Sequence, residues 1–513
     1  MDHGTGHWPT IHALRNGNQT AFINAETGAA TTFRELEDRT NALAAALRDI
    51  GVAKGDRVAL VTLNGVPMLE ILFAIWKLGA IGVPINWRLS ASEINYILDD
   101  CGAKLIFHSP GFAGTVREAA GEDGRLIEVP DNERLQNGRT STYETLIAEG
   151  DSSRAVADVE LDDICTIMYT SGTTGFPKGA MLTHGNFLWN AVHNANLDDG
   201  IGRADISIAA APMFHIGALG IHTTALLYVG GTTVVMETFD PVEWIKAVAR
   251  HHVTVTFAVP AMWAAIAKAA GEIDYDFSSL RFNLSGGAPT PLVVIEELGR
   301  LGAELSEGFG LTETSPIASY LDKADIVEHL GSIGRPVHHV DTRIVDEADN
   351  DVPTGVVGEM VFRGPTIFAG YWNKPIETAA AMRGGWFHTG DLARSDEGEY
   401  LYIVDRKKDM VITGGENVYP VEVEQALHRH EAIADVAVVG VPDEKWGESV
   451  AAVVVLQPNA RATGDEIIAW ARQRIAHFKC PRSVLFVDEL PRTATGKILK
   501  RQLRELYVGD SAQ

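Results

Sequence analysis

Through its first four hundred residues the chain alternates short β-branched apolar runs with helix-like stretches, and this limits its fold more than any other feature. Arg57-Val58-Ala59-Leu60-Val61 reads as a buried strand, followed by a helix through Met68 to Leu78. Thr232 to Met236 and Val253 to Val259 repeat the pattern around a helix from Pro241 to His251. Strands that alternate with helices specify a doubly wound, mostly parallel sheet. At 513 residues the chain is too long for one core, so two or more domains are expected. Between about Ile333 and Val404 the texture changes to short strands with turns at Asp349-Asn350-Asp351 and Pro353-Thr354-Gly355, a small antiparallel or barrel-like segment. The remainder reads as helix Val421 to His430, strands Val436 to Val441 and Val450 to Leu456, helix Gly464 to Ala476 and strand Ser483 to Val487. The expected architecture is α/β: residues 1–404 with doubly wound sheets and the barrel-like segment, then a small α+β domain of residues 405–513. The boundary falls at Asp405 to Lys408, within the charged cluster Asp405-Arg406-Lys407-Lys408-Asp409.

Charge and cysteine usage exclude several classes. The net charge of −25 disfavours nucleic acid and anionic membranes as partners of the whole surface. The 3 cysteines, Cys101, Cys165 and Cys480, show no metal-ligand spacing, which suits a reduced cytoplasmic protein. Met1 to Thr20 carries no signal-peptide pattern. The most membrane-like stretch, Ile206 to Met236, is broken by Pro212, His215, His222 and several glycines, so no transmembrane segment is expected.

The chemistry concentrates in Tyr169-Thr170-Ser171-Gly172-Thr173-Thr174-Gly175-Phe176-Pro177-Lys178-Gly179, just after the apolar run Ile164-Cys165-Thr166-Ile167-Met168. Hydroxyls and glycines at the tip of a strand let backbone N–H groups close on an anion, and Lys178 adds a mobile positive charge. The spacing is not that of a Walker loop, which ends in Gly-Lys-Ser/Thr. Further segments follow in order: Ser285-Gly286-Gly287-Ala288-Pro289, Gly308-Phe309-Gly310-Leu311-Thr312-Glu313-Thr314, Trp386-Phe387-His388-Thr389-Gly390-Asp391, Asp405-Arg406 and Pro491-Arg492-Thr493-Ala494-Thr495-Gly496-Lys497. Singly, each could be a turn. Together, from Thr32 to about Leu506, they make the chain resemble the adenylate-forming superfamily of acyl-CoA synthetases, nonribosomal adenylation domains and firefly-type luciferases, most closely the bacterial fatty-acyl-CoA ligases.

The resemblance implies ATP, Mg²⁺ and coenzyme A, and a reaction in two steps: a carboxylate becomes an acyl-AMP with loss of pyrophosphate, and a thiol then displaces AMP. It implies that Lys497 bridges carboxylate and α-phosphate, that Glu313 holds the metal ion together with Thr170, and that Thr312, Ser171, Gly172, Thr173 and Thr174 hold phosphate. Gly286, Gly287, Ala288, Gly308, Phe309, Gly310 and Leu311 would flank the nucleotide base. Asp391 would accept from the ribose hydroxyls with Arg406 nearby. Gly415 is counted among the cofactor residues, and Trp446 occupies a position that stacks on CoA in aryl-CoA ligases. The C-terminal domain is expected to be mobile, turning about Lys408 between the half-reactions.

His215 stands where the family has an aromatic residue or histidine between acyl pocket and phosphates. Gly217 replaces the tyrosine of plant hydroxycinnamate ligases, and Ala218 and Gly220 are also small, which implies a deep or wide acyl pocket. No arginine lies in Ile216 to Thr224 to pair a second carboxylate. The expected small-molecule substrate is therefore a medium or long fatty acid or a bulky acid, with an aromatic or hydroxycinnamic acid as the alternative. A homodimer, and transfer of the acyl group to a carrier protein or partner acyltransferase instead of CoA, stay open.

Overall fold

The computed structural model describes residues 3–122, 124–131, 141–154, 157–170, 177–197, 199–407, 409–413, 416–443, 445–492 and 498–510. The chain divides into two compact units, one of Met1–Asp341 with Phe362–Phe387, the other of Thr342–Val361 with His388–Gln513. The expected barrel-like segment is thus divided, with Thr342–Val361 and the residues from His388 on grouping with the C-terminal residues and Phe362–Phe387 with the first unit. The expected division between residues 404 and 405 falls inside the strand Leu401–Arg406.

The first unit holds two sheets. In the seven-stranded sheet, Arg57–Val61, Ile81–Pro84, Ala103–His108, Leu126–Glu128 and Ile164–Thr170 run parallel to their neighbours; Lys178–Thr183 and Gly370–Tyr371 are added antiparallel at one edge. In the nine-stranded sheet, Leu305–Gly310, Phe282–Gly286, Val255–Ala258, Ile206–Ala209, Thr232–Val235 and Thr20–Asn24 are parallel in that spatial order. Strands covered on both faces are continuously apolar: Val58, Ala59, Leu60 and Val61 are all buried. The predicted helix Pro241–His251 forms with those bounds. Asp240 caps it by accepting from the N–H groups of Val242 and Glu243, both at 2.9 Å, and Pro241 at the first position needs no donor partner.

One helical segment departs from regularity. Ile216–Ala218 is α-helical, Leu219–Thr224 is a π-helix and Ala225–Val229 returns to α. The Thr223 hydroxyl donates to the Ala218 carbonyl five residues back, at 2.8 Å. Such π-turns recur where a helix carries function.

Asp341–Val345, Gly358–Arg363, Phe387–Ser395 and Leu401–Arg406, most of whose residues belong to the second unit, make a four-stranded sheet. A separate five-stranded sheet is built on the long hairpin Ile433–Asp443 with Gly447–Leu456. That hairpin is buried on both faces. Val436, Val438, Val450, Ala452 and Val454 join one core with Ile467 of the helix Gly464–Arg472; Ala437, Val439, Ala451 and Val453 join another with Leu490 and Leu503. Among the described residues no helix is long and apolar enough to cross a membrane.

Candidate active site

The glycine- and threonine-rich segment joins the antiparallel strands Ile164–Thr170 and Lys178–Thr183, with Thr170 and Lys178 directly paired where they part. Residues 171–176, and with them Ser171, Gly172, Thr173 and Thr174, lie outside the described residues. The Tyr169 hydroxyl donates to Asp100 at 2.6 Å, and the Trp372 ring N–H donates to the Asp100 carbonyl at 3.0 Å. The base of the hairpin is therefore fixed on both sides.

Gly370–Tyr371 pairs with the same hairpin, Tyr371 opposite Ala180, and this brings two predicted residues together. The Tyr371 hydroxyl donates to Glu313 Oε1 at 2.8 Å, and Lys178 Nζ stands 5.2 Å from the centre of the Tyr371 ring. Burial, then the neighbouring Glu313 charge, raise the Tyr371 pKa far above a normal phenol, so it stays a donor. Sequence reasoning missed Tyr371, although Gly370-Tyr371-Trp372 punctuates the chain after a turn. Among the described residues no three His, Cys, Asp or Glu side chains form a metal cluster. Mg²⁺ needs none, since one carboxylate, phosphate oxygens and water satisfy it, and the single braced carboxylate of Glu313 fits that demand.

Two loops leave the carboxyl ends of parallel strands, where open α/β sheets bind ligands. After Phe282–Gly286, Gly287 turns with φ +90°, a left-handed conformation suited to glycine. Ser285 and Thr290 share a hydroxyl hydrogen bond of 2.7 Å, and Glu307 Oε1 accepts from the Thr290 N–H at 2.9 Å. Ala288 lies in this braced turn, and burial raises the Glu307 pKa. After Leu305–Gly310 the chain bends through Leu311 into a short helical turn at Thr312–Thr314. A Cβ at Gly310 would collide with the Pro316 carbonyl oxygen, so glycine is obligatory at this close approach. Gly308 pairs with Gly286 across the two strands.

His215 precedes the helix Ile216–Ala218, half-buried, with its ring 4.5 Å from that of Phe214. The Met213 N–H donates to Asn64 at 2.9 Å, which clips the preceding turn. The glycines beyond it have aromatic and proline neighbours. A Cβ on Gly217 would lie 3.2 and 3.3 Å from the Phe257 ring, and one on Gly286 would lie 3.2 Å from the same ring. Phe257 therefore borders the space beside Gly217, which a pattern confined to residues 215–220 could not show. Gly220 faces Pro316 and Ile216 instead, at 3.0 and 3.3 Å from its Cβ position. Ala218, His222, Thr223 and Phe257 line a cavity against the strand Ile206–Ala209.

In the second unit Asp391 and Arg406 face each other across neighbouring strands, Nε to Oδ1 at 2.9 Å, with Asp391 almost wholly buried. Glu359 holds Lys407 at 3.2 Å and His388 at 3.4 Å, and Lys407 with His388 keeps its carboxyl below the usual range despite burial. Trp446 is half-buried with Lys445 and Arg482 each 4.7 Å from its ring. Lys408, Gly415 and Lys497 lie outside the described residues. The segment 493–497 is bracketed by a bridge between Arg492 and Ile498 and by the Leu499 N–H donating to the Pro491 carbonyl at 2.8 Å. The three cysteines are free and buried, and burial pushes the Cys101 thiol up to about 12. That thiol is not a nucleophile.

The family model of AMP-binding enzymes matches residues 10–372, and that of the AMP-binding enzyme C-terminal domain matches residues 422–497. The chain belongs to the family of AMP-binding enzymes. It is 42% identical over 504 residues to a feruloyl-CoA synthase of Amycolatopsis sp, covering 98% of this chain and 99% of that protein. It is 38% identical to the indoleacetate–CoA ligase of Aromatoleum aromaticum, over 97% of each chain. The structure of ATP-bound MatB from Rhodopseudomonas palustris superposes with a TM-score of 0.90 at 30% identity, covering 98% of this chain and 99% of that one.

Proposed function

We propose that this acid–thiol ligase activates an aromatic carboxylic acid with ATP and transfers the acyl group to coenzyme A. The observation that carries the aromatic reading is the Phe257 ring seated against Gly217 and Gly286. A flat ring in that place favours stacking of a planar acid and shortens the channel that a long alkyl chain requires. The relatives named for feruloyl and indoleacetyl substrates support the same choice.

A carboxylate is a poor acyl donor, and linking its oxygen to phosphorus supplies a leaving group. The carboxylate oxygen attacks the α-phosphorus, the bond to the bridging oxygen breaks, and pyrophosphate departs. The CoA sulfur then attacks the acyl carbon, its proton leaves, and AMP departs with the electron pair of the broken C–O bond. Charge collects on the phosphates in the first step, so cations there contribute most. Lys178 supplies one such charge, and Tyr371 holds the Glu313 carboxylate in one orientation. Bound Mg²⁺ would neutralise phosphate charge, held by Glu313 with the Thr170 hydroxyl. Lys497 is assigned to the attacking carboxylate from its motif, Asp391 with Arg406 to the ribose, and Trp446 with its two cations to CoA. AMP release with ferulate, indoleacetate, octanoate and palmitate, each with and without CoA, tests the reading. Preference for palmitate would overturn its aromatic part. Turnover only with a phosphopantetheinyl carrier would overturn the acceptor.

A further inference from the structure

His222 sits in the π-helical turn, 2% exposed, and among the described residues neither ring nitrogen has a hydrogen-bond partner. Buried polar atoms usually find a partner, so a ring left over at a cavity wall can receive the polar group of a ligand. Here the wall is formed by Ser207, Ala209, Ala211, Ala218 and Phe257, and the space suits a group about the size of a water molecule. Neighbouring groups do not use the imidazole. The Thr223 hydroxyl is committed to Ala218, the Phe282 ring meets His222 edge-on at 5.2 Å, and Asp205, the nearest acid, is ion-paired with Arg281. Burial pushes the ring pKa down to about 3, so it presents one N–H donor and one acceptor nitrogen at working pH.

Phe257 lines this cavity, and its ring also faces Gly217 and Gly286. Phe257 and His222 thus line one cavity. We propose that His222 is a specificity-determining residue that hydrogen-bonds a neutral polar substituent, a phenolic hydroxyl or ring N–H, at the end of the aromatic acid remote from its carboxylate. This inference rests on the aromatic reading above.

The test is acid-dependent ATP–pyrophosphate exchange by the full-length wild type, His222→Leu and His222→Gln, using 4-hydroxycinnamate, cinnamate, indoleacetate and octanoate. Wild type should favour 4-hydroxycinnamate over cinnamate by about tenfold or more in kcat/KM, because a site built for a hydroxyl rejects the analogue without it. His222→Leu should abolish that preference while keeping cinnamate activity, and His222→Gln should restore part of it. Equal losses for both acids in His222→Leu would overturn the proposal. So would a wild type indifferent to the hydroxyl, a result that decides the matter even where the leucine variant fails to fold. Exchange with octanoate and none of the aromatic acids would instead overturn the parent reading, and is recognisable as such in wild type alone.

Discussion

At the residue scale, the contact with most consequence is the Tyr371 hydroxyl on Glu313. Hydrogen bonds to charged groups contribute roughly 1.5–3 kcal/mol, equivalent to about ten- to a hundredfold in an equilibrium. Tyr371→Phe should lower ATP–pyrophosphate exchange within that range and raise the Mg²⁺ concentration for half-maximal rate, with the thermal midpoint nearly unchanged. An unaltered Mg²⁺ dependence would detach Tyr371 from the metal site. Lys497→Ala should lose exchange by several orders of magnitude, a few kcal/mol of transition-state stabilisation, yet still convert preformed acyl-AMP with CoA. Near-normal exchange would end that assignment. The sequence offered Glu313, Thr312 and Lys178 as candidates because each lies in a motif of fixed spacing. Tyr371 was not: it reaches Glu313 across 58 residues of chain, through pairing at a sheet edge.

At the scale of elements, strands and helices announced themselves wherever one period of hydrophobicity ruled. Pro241–His251, with its aspartate cap and opening proline, was readable to its ends. The segment from Ile216 to Val229 was not, since a π-turn shifts which side chains share a face. The acyl pocket expected from His215, Gly217, Ala218 and Gly220 left out Phe257, whose ring lies beside Gly217, while Pro316 lies beside Gly220. Phe257→Ala should lengthen the pocket and improve short and medium fatty acids relative to ferulate. Each methylene newly accommodated is worth roughly 0.8 kcal/mol, about fourfold in kcat/KM. Gly217→Tyr should lose activity toward all these acids, because its ring and that of Phe257 compete for one volume. A variant Phe257→Ala with the wild-type ranking of octanoate, palmitate and ferulate would show that the acid lies elsewhere.

For the whole molecule, burial of neutral histidines contributes to the response to acid. Burial lowers His184 and His193 to about 4 and His222 to about 3, from 6.5. The unfolded chain therefore takes up these protons first, so the stability they contribute is complete above pH 6.5 and falls as pH drops toward 4. The loss is at most about 1.4 kcal/mol per ring for each pH unit within that window. Urea midpoints should fall steadily between pH 7 and 5; a flat profile would mean the rings are charged in place. Lys408→Pro, by fixing φ at the proposed hinge, should spare adenylation and slow thioester formation; equal slowing of both would leave the hinge without support. The second core of the C-terminal unit has a practical corollary. Leu503 is completely buried there, Lys500 pairs with Glu424 at 2.9 Å, and Arg504 pairs with Asp409 at 2.9 Å. A protein cut just before Lys500 would lose Leu503 from that core together with both ion pairs, so a frameshift or protease nick there should lower the thermal midpoint of the C-terminal unit below that of the intact protein.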